Sequence, residues 1–235
     1  MVFSCLLEHN GPDSLLYCTS LPGAFTRGAT PEEALAKMPD EIRSYTRWMG
    51  DRIPESIDVQ ITRETESELN IRDADSDVLF PEETQPLKRD QYETMKRLVL
   101  KSAEDFQRLY DAIPDPDRTC LMPRKTFYGQ VPRTARQMYE HTKNVNPYYF
   151  AEIGVEADHE GTILECRLRA LEKMEKMPGF LESTAVEGSY GECWSVRKVL
   201  RRFIWHDRIH GKAMYRMAKM TFTGKSIPDV FRFES

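Results

Sequence analysis

Residues 194–220, WSVRKVLRRFIWHDRIHGKAMYRMAKM, limit the fold more than any other part of the chain. Val196, Val199, Phe203, His206, His210, Met214 and Met217 recur at helical spacing and form one stripe on a single long helix. Two histidines thus lie on a face with apolar residues before and after them. They are four positions apart, so both imidazoles leave the helix on the same side, one turn from each other. That spacing lets two imidazoles share one metal ion. It equally suits two partly buried histidines hydrogen-bonded to neighbours, and the HxxxH pattern alone does not separate the two cases.

A chain of 235 residues has room for one large or two small domains. With 40% hydrophobic and 30% charged residues it reads as a soluble globular chain, not a disordered one. The net charge of −5 argues against nucleic acid held by a whole-protein positive field. Cys5, Cys18, Cys120, Cys166 and Cys193 are odd in number and contain no CxxC. That pattern points to reduced thiols in a cytoplasmic protein, not to a disulfide framework or a cysteine-rich zinc site. The first residues lack the apolar run of a signal peptide, and no segment is long and apolar enough to span a membrane.

Residues 2–9 and 14–20 are short apolar runs around Asn10-Gly11-Pro12-Asp13, a β-hairpin signal. A loop, LPGAFTRGAT, follows. Thr30 then caps a helix, Pro31 suits its first position and Glu33 completes a capping box. Ala34, Leu35, Met38, Ile42, Tyr45 and Met49 give that helix an apolar face, and Pro39 within it predicts a kink or a split. Ile57, Val59 and Ile61 alternate with polar residues as a third strand. The unit reads β-β-α-β.

Residues 1–70 resemble the HicB-like fold through the tyrosine-bearing second strand, LPG at 21–23, Gly28 and ATPEEAL at 29–35. Pro39 departs from the family's unbroken helix. HicB antitoxins carry a DNA-binding element after this fold. No ribbon-helix-helix or helix-turn-helix pattern follows here, so no sequence-specific nucleic-acid binding is expected.

Residues 71–87 are polar and acid-rich, with Pro81 and Pro86, and read as a linker in which Val78-Leu79-Phe80 is a brief strand or docking segment. From 88 to 235 the pattern is helical. Tyr92, Met95, Val99, Ala103, Phe106, Tyr110 and Ile113 define a first helix that Pro114 ends. After a long loop, Pro132 opens a second helix reaching about residue 153, its stripe Thr134, Met138, His141, Val145 and Tyr148-Tyr149, with a bend at Pro147. Residues 162–177 form a third helix on Ile163, Leu164, Leu168, Ala170, Leu171 and Met174. With the long last helix this makes a four-helix bundle, so the whole chain is expected to be α+β.

Three of the five histidines lie on inward stripes of two bundle helices: His141, His206 and His210. Neutral imidazoles from facing helices suit zinc, nickel, iron or copper and leave coordination positions open. The bundle resembles the DinB / YfiT-like superfamily. That family has a histidine on its second helix and HxxxH on its last, followed by glycine and a small residue. Here the matching residues are His141 in RQMYEHTKN and IWHDRIHGKA at 204–213. The resemblance implies a divalent ion held by His141, His206 and His210, zinc or nickel first, iron or manganese as alternatives. It also implies a metal-dependent transferase acting with a low-molecular-weight thiol, or a related hydrolase, on a small-molecule substrate. A homodimer is possible.

HDRIH also has the spacing of the HExxH zinc peptidases, but Asp207 is one methylene shorter than their catalytic glutamate and the only downstream acid at the right distance is Glu234. Asp207 reads instead as a carboxylate that orients a ligand imidazole, or as a solvated helix charge. Arg133, Arg136, Lys143, Arg202 and Arg208 lie near the histidine helices and could hold a substrate anion, although a solvated basic surface is the plainer reading of each. Tyr139 and Tyr148 are candidate proton donors that equally suit the core; Cys166 and Cys193 read as structural. The alternative to an enzyme is a non-catalytic binding or regulatory protein whose HicB-like part mediates partner contacts.

Overall fold

The computed structural model describes residues 1–234. Strands β1 (Val2–Asn10) and β2 (Asp13–Cys18) form the expected hairpin, paired from Cys5 with Cys18 to Asn10 with Asp13. The two-residue turn places Gly11 at φ 55, a left-handed conformation that glycine adopts without strain. Strand β3 (Phe25–Gly28) adds antiparallel to β2, and β4 (Asp58–Glu66) adds parallel to β1, giving the order β3-β2-β1-β4. Helix α1 (Pro31–Met49) is the crossover that parallel pairing requires.

Two expectations are corrected here. The stretch read as a loop contains β3, so the unit is β-β-β-α-β. Its pattern is too short to announce itself, and tertiary contacts hold it: Thr26 Oγ1 donates to Ala34 O at 2.7 Å. A Cβ on Gly28 would lie 2.5 Å from Ala34 N, so only glycine lets α1 start this close. Pro39 does not split α1, which runs continuously with Ala34, Met38, Ile42 and Tyr45 buried on the sheet face that carries Cys5, Leu7, Leu16 and Cys18. The missing proline hydrogen bond is outweighed by that burial. The cap at Thr30 and the reach of Glu33 back to Ala29 N are as expected.

Four helices follow: α2 (Arg89–Asp111), α3 (Ala135–Ala151), α4 (Ile163–Glu175) and α5 (Val196–Thr221). Helix α5 packs on α2 and α3, and α4 closes the ring against the same two. Helix α3 starts later than Pro132 suggested, because Thr134 and Gln137 form a capping box; Thr162 with Glu165 does the same for α4. Two small hairpins lie in the connections, β5 (Lys125–Thr126) with β6 (Gly129–Gln130), and β7 (Val186–Glu187) with β8 (Cys193–Trp194).

Residues 71–87 pack as a strap between sheet and bundle. Ile71, Val78 and Phe80 are buried with Leu6, Leu15, Tyr17 and Trp205, which covers the second sheet face. Cations of α5 hold the strap's backbone: Lys198 Nζ donates to Asp77 O at 2.6 Å, Arg201 Nη2 to Val78 O at 2.9 Å and Arg202 Nη1 to Ser76 O at 2.5 Å. The sheet also meets the bundle at Gly23, where a Cβ would sit 2.7 Å from Trp205 N. One apolar core therefore runs from the α1 face of the sheet into the helices.

Phe80 packs its ring edge-on at 5.6 Å from Tyr17 and lies under the Arg201 guanidinium at 4.0 Å. Phe80→Ala is expected to destabilise the protein by about 3–5 kcal/mol. Urea unfolding of the wild type, followed by tryptophan fluorescence and far-ultraviolet circular dichroism, is expected to give coincident transitions. Two separated transitions would mean that sheet and bundle unfold independently of the strap.

Candidate metal centre

Helix α5 supplies His206 and His210 one turn apart, and α3 supplies His141 across the groove. One ligand atom from each of the three lies within 4.8 Å of the other two. The Nε2 atoms of His141 and His206 are 3.2 Å apart. Ring centroids are separated by 4.4 to 5.1 Å around the triangle. Two nitrogens at 2.1 Å from a shared tetrahedral ion stand about 3.4 Å apart, so the spacing fits a metal without rebuilding either helix. No other group of three or more possible ligands of this kind occurs among the described residues.

The electrostatics keep the donors ready. Burial lowers the pKa of His141 below the ordinary histidine value. Burial, and then the neighbouring His210 and His141, lower that of His206 well below it. His210 falls to about 3 through burial and then His141. Three neutral imidazoles at physiological pH are what a divalent ion needs, because a protonated ring cannot ligate. Without an ion, the close Nε2 pair accommodates at most one shared proton, and His206 Nδ1 is buried with no partner in the protein. The donor chemistry and the unpartnered His206 Nδ1 both fit a metal ligand set.

The position of His141 differs in detail from its predicted stripe. The buried side of α3 is Ala135, Met138, Tyr139, Thr142, Asn146, Tyr149 and Phe150, and His141 stands at its exposed edge. The triad therefore has one solvent-facing side, at α3, and a closed side, at the buried His206. Tyr149 walls the closed side, its ring 6.1 Å from that of His206.

Asp207 is not where the sequence reading placed it. Its carboxylate is fully buried and accepts from Arg167 Nη1 and Nη2 at 2.5 and 2.7 Å and from Ser102 Oγ at 2.5 Å. It neither orients a histidine nor faces solvent. It points from the other side of α5 and ties that helix to α4 and α2. The peptidase reading fails at its other residue too, since Glu234 is bound by Lys219 Nζ at 2.5 Å and Tyr215 Oη at 3.0 Å, away from the histidines. Arg167 was missed. The available signal was an arginine at stripe spacing among Ile163, Ala170, Leu171 and Met174, a position that demands a buried counter-charge.

The remaining candidates separate cleanly. Arg208 is buried against Glu41 of α1 at 2.7 Å, and Arg136 pairs with Asp117 at 2.7 Å. Tyr139 donates to Gln107, and Cys166 Sγ lies 3.1 Å from Glu160 O. Arg202 sits one turn before His206, with its guanidinium 5.4 Å from the Tyr149 ring. Comparison with protein-family models, with curated proteins and with solved structures found no match to this chain.

Removing Asp207 strands a buried guanidinium. Asp207→Ala is expected to cost about 3–5 kcal/mol in denaturant unfolding, most of it recovered in the double variant Arg167→Met/Asp207→Leu. Metal affinity of folded Asp207→Asn should stay well inside the roughly 10–100-fold loss expected of a histidine-orienting carboxylate.

A pH dependence follows from the lowered histidines. Their contribution to stability is complete above the unfolded-state value near 6.5 and is lost as pH falls toward the folded values, because the unfolded chain then binds protons the native site refuses. Metal-free protein is expected to lose about 1–2 kcal/mol between pH 7 and pH 5 through His210 alone. Guanidinium titrations of wild type and His210→Gln should show the shallower slope in the variant; equal slopes would assign the acid sensitivity elsewhere.

Proposed function

We propose that this protein binds one divalent metal ion through His141, His206 and His210 and acts on a small molecule there, as a metal-dependent transferase working with a thiol or as a related hydrolase. The convergence of three neutral imidazoles on one point carries this reading. Its finer part, the thiol chemistry and the place in the DinB-like superfamily, is supported by the histidine pattern of the sequence alone. Zinc and nickel suit the all-nitrogen donor set best.

When bound, the ion supplies a Lewis acid that brings the pKa of a coordinated thiol or water toward neutrality. The chain's own residues do the rest. The packing of α5 on α2 and α3 fixes the two histidines of one helix against the third, so the ligand geometry is set before any ion arrives. The exposed edge at His141 leaves a side for a small molecule to approach. Tyr149, its pKa raised by burial, keeps its proton beside the site.

A second reading is a metal-holding protein without turnover, in which the sheet unit mediates contacts. It would place partner contacts at surface hollows away from the triad. One of about 430 Å³ is lined by Asp13, Arg27, Glu33, Lys37, Arg72 and Arg124, and one of about 510 Å³ by residues of α2 with Leu164; neither includes a histidine.

Protein purified without a histidine tag is expected to carry close to one divalent ion per chain, read by plasma mass spectrometry. His206→Ala should bring bound metal below detection. Full occupancy in that variant would reduce the triad to core packing and remove the enzyme reading. Metal-loaded protein that fails to accelerate thiol addition or transfer across a panel of electrophiles, or hydrolysis of simple amides and esters, would favour the second reading.

A further inference from the structure

Five cationic side chains are buried in the bundle: Arg167, Lys198, Arg201, Arg202 and Arg208. Four of them meet a carboxylate. Arg167 pairs with Asp207 at 2.5 Å, Lys198 with Glu192 at 2.8 Å, Arg201 with Glu83 at 2.5 Å and Arg208 with Glu41 at 2.7 Å. Arg202, 9% exposed, has no carboxylate within ion-pair distance among the described residues. Glu192, whose charge reaches it, is already committed to Lys198. A buried guanidinium without a counter-charge is costly enough that proteins rarely keep one unless something completes it.

The geometry of the unfilled position is specific. Arg201, Arg208 and Arg136 each bind a carboxylate through the edge formed by Nε and Nη2. In Arg202 the hydrogen bond to the strap uses Nη1, to Ser76 O at 2.5 Å, while Nε is buried without a partner. Nε, half of the edge that takes a carboxylate bidentately elsewhere in this chain, is thus without an acceptor here. Tyr149, Trp194 and Trp205 surround the guanidinium at 5.4, 5.5 and 4.7 Å, fixing its plane but supplying no negative charge. Tyr149 lies beside both groups, its ring 6.1 Å from that of His206 and 5.4 Å from the Arg202 guanidinium.

We propose that Arg202 is the anchor for a carboxylate on the small molecule that binds at the three-histidine centre, so that the ligand spans from the metal ligands to the Arg202 guanidinium and its unpartnered Nε. The substrate class is a small carboxylic acid whose donor atom and carboxylate are separated by a short flexible linker. The span rests on the metal reading given above; the anion site at Arg202 does not.

The test uses two arms. In the first, EDTA-treated full-length protein is heated with sodium propionate, or with sodium chloride plus 1-propanol at matched ionic strength. Propionate should raise the wild-type midpoint and leave Arg202→Gln unmoved, with Arg202→Lys between them. In the second, cobalt(II)-loaded protein is titrated with mercaptocarboxylates of two to six carbons and with mercaptoalcohols of the same lengths, following the sulfur-to-cobalt charge-transfer band. At the best length the carboxylate should bind about tenfold tighter or more, the worth of a charge-assisted pair. In Arg202→Gln the ratio should collapse to near unity. Equal binding of acid and alcohol at every length, or a preference that survives in Arg202→Gln, would overturn the proposal. If Arg202→Gln does not fold, the wild-type ratio and Arg202→Lys decide the matter. If the chain takes up no cobalt, the metal reading fails by itself, and the propionate arm still decides whether Arg202 holds an anion.

Discussion

A charge taken out of water must be met by another, and this requirement organises the molecule around α5. The helix and its neighbour α4 bury more positive side chains than an apolar bundle would tolerate. Their partners come from four separate segments: Glu41 from α1, Glu83 from the strap, Glu192 from the loop before α5, and Asp207 from α5 itself toward Arg167. Each pair joins two segments that hydrophobic contact alone would leave free to slide, since apolar surface is indifferent to which apolar surface it meets. The ion pairs add little net stability over a greasy replacement, but they select one arrangement of sheet, strap and bundle. The histidine triad inherits its geometry from that selection.

Local signals were the most legible in the sequence. The threonine cap of α1 acts through a side chain three residues away, and it was read from the sequence with its partner Glu33; the same device at Thr134 and Thr162 was passed over, the first because Pro132 drew the start of α3 too early. The stripe of α5 was equally clear, and it placed His206 and His210 correctly because helical spacing alone fixes their relative direction. His141 came within one position of the buried face of α3. Periodicity tells which side of a helix is apolar but not where its edge falls against a particular neighbour.

What stayed hidden depended on distant partners. The strap looked like a linker because its residues are polar, yet its carbonyls are claimed by lysine and arginine more than a hundred residues later. Strand β3 has too few residues for an alternation to show, and it exists because α1 begins against Gly28. Asp207 stands next to a histidine in sequence but points to the opposite side of the helix, since adjacent residues on a helix diverge by roughly 100°. Reading it as an accessory to His206 confused sequence proximity with spatial proximity.

The second face of the sheet has a consequence for how the protein is made. Trp205, which covers Leu6, Leu15 and Tyr17 together with the strap, is synthesised roughly 190 residues after them. At ordinary translation rates that interval is roughly 10–40 s. Throughout it, the α1 side of the hairpin can close, while the second face has only the strap, without the α5 cations that hold it. The cover of that face is completed only when α5 is released.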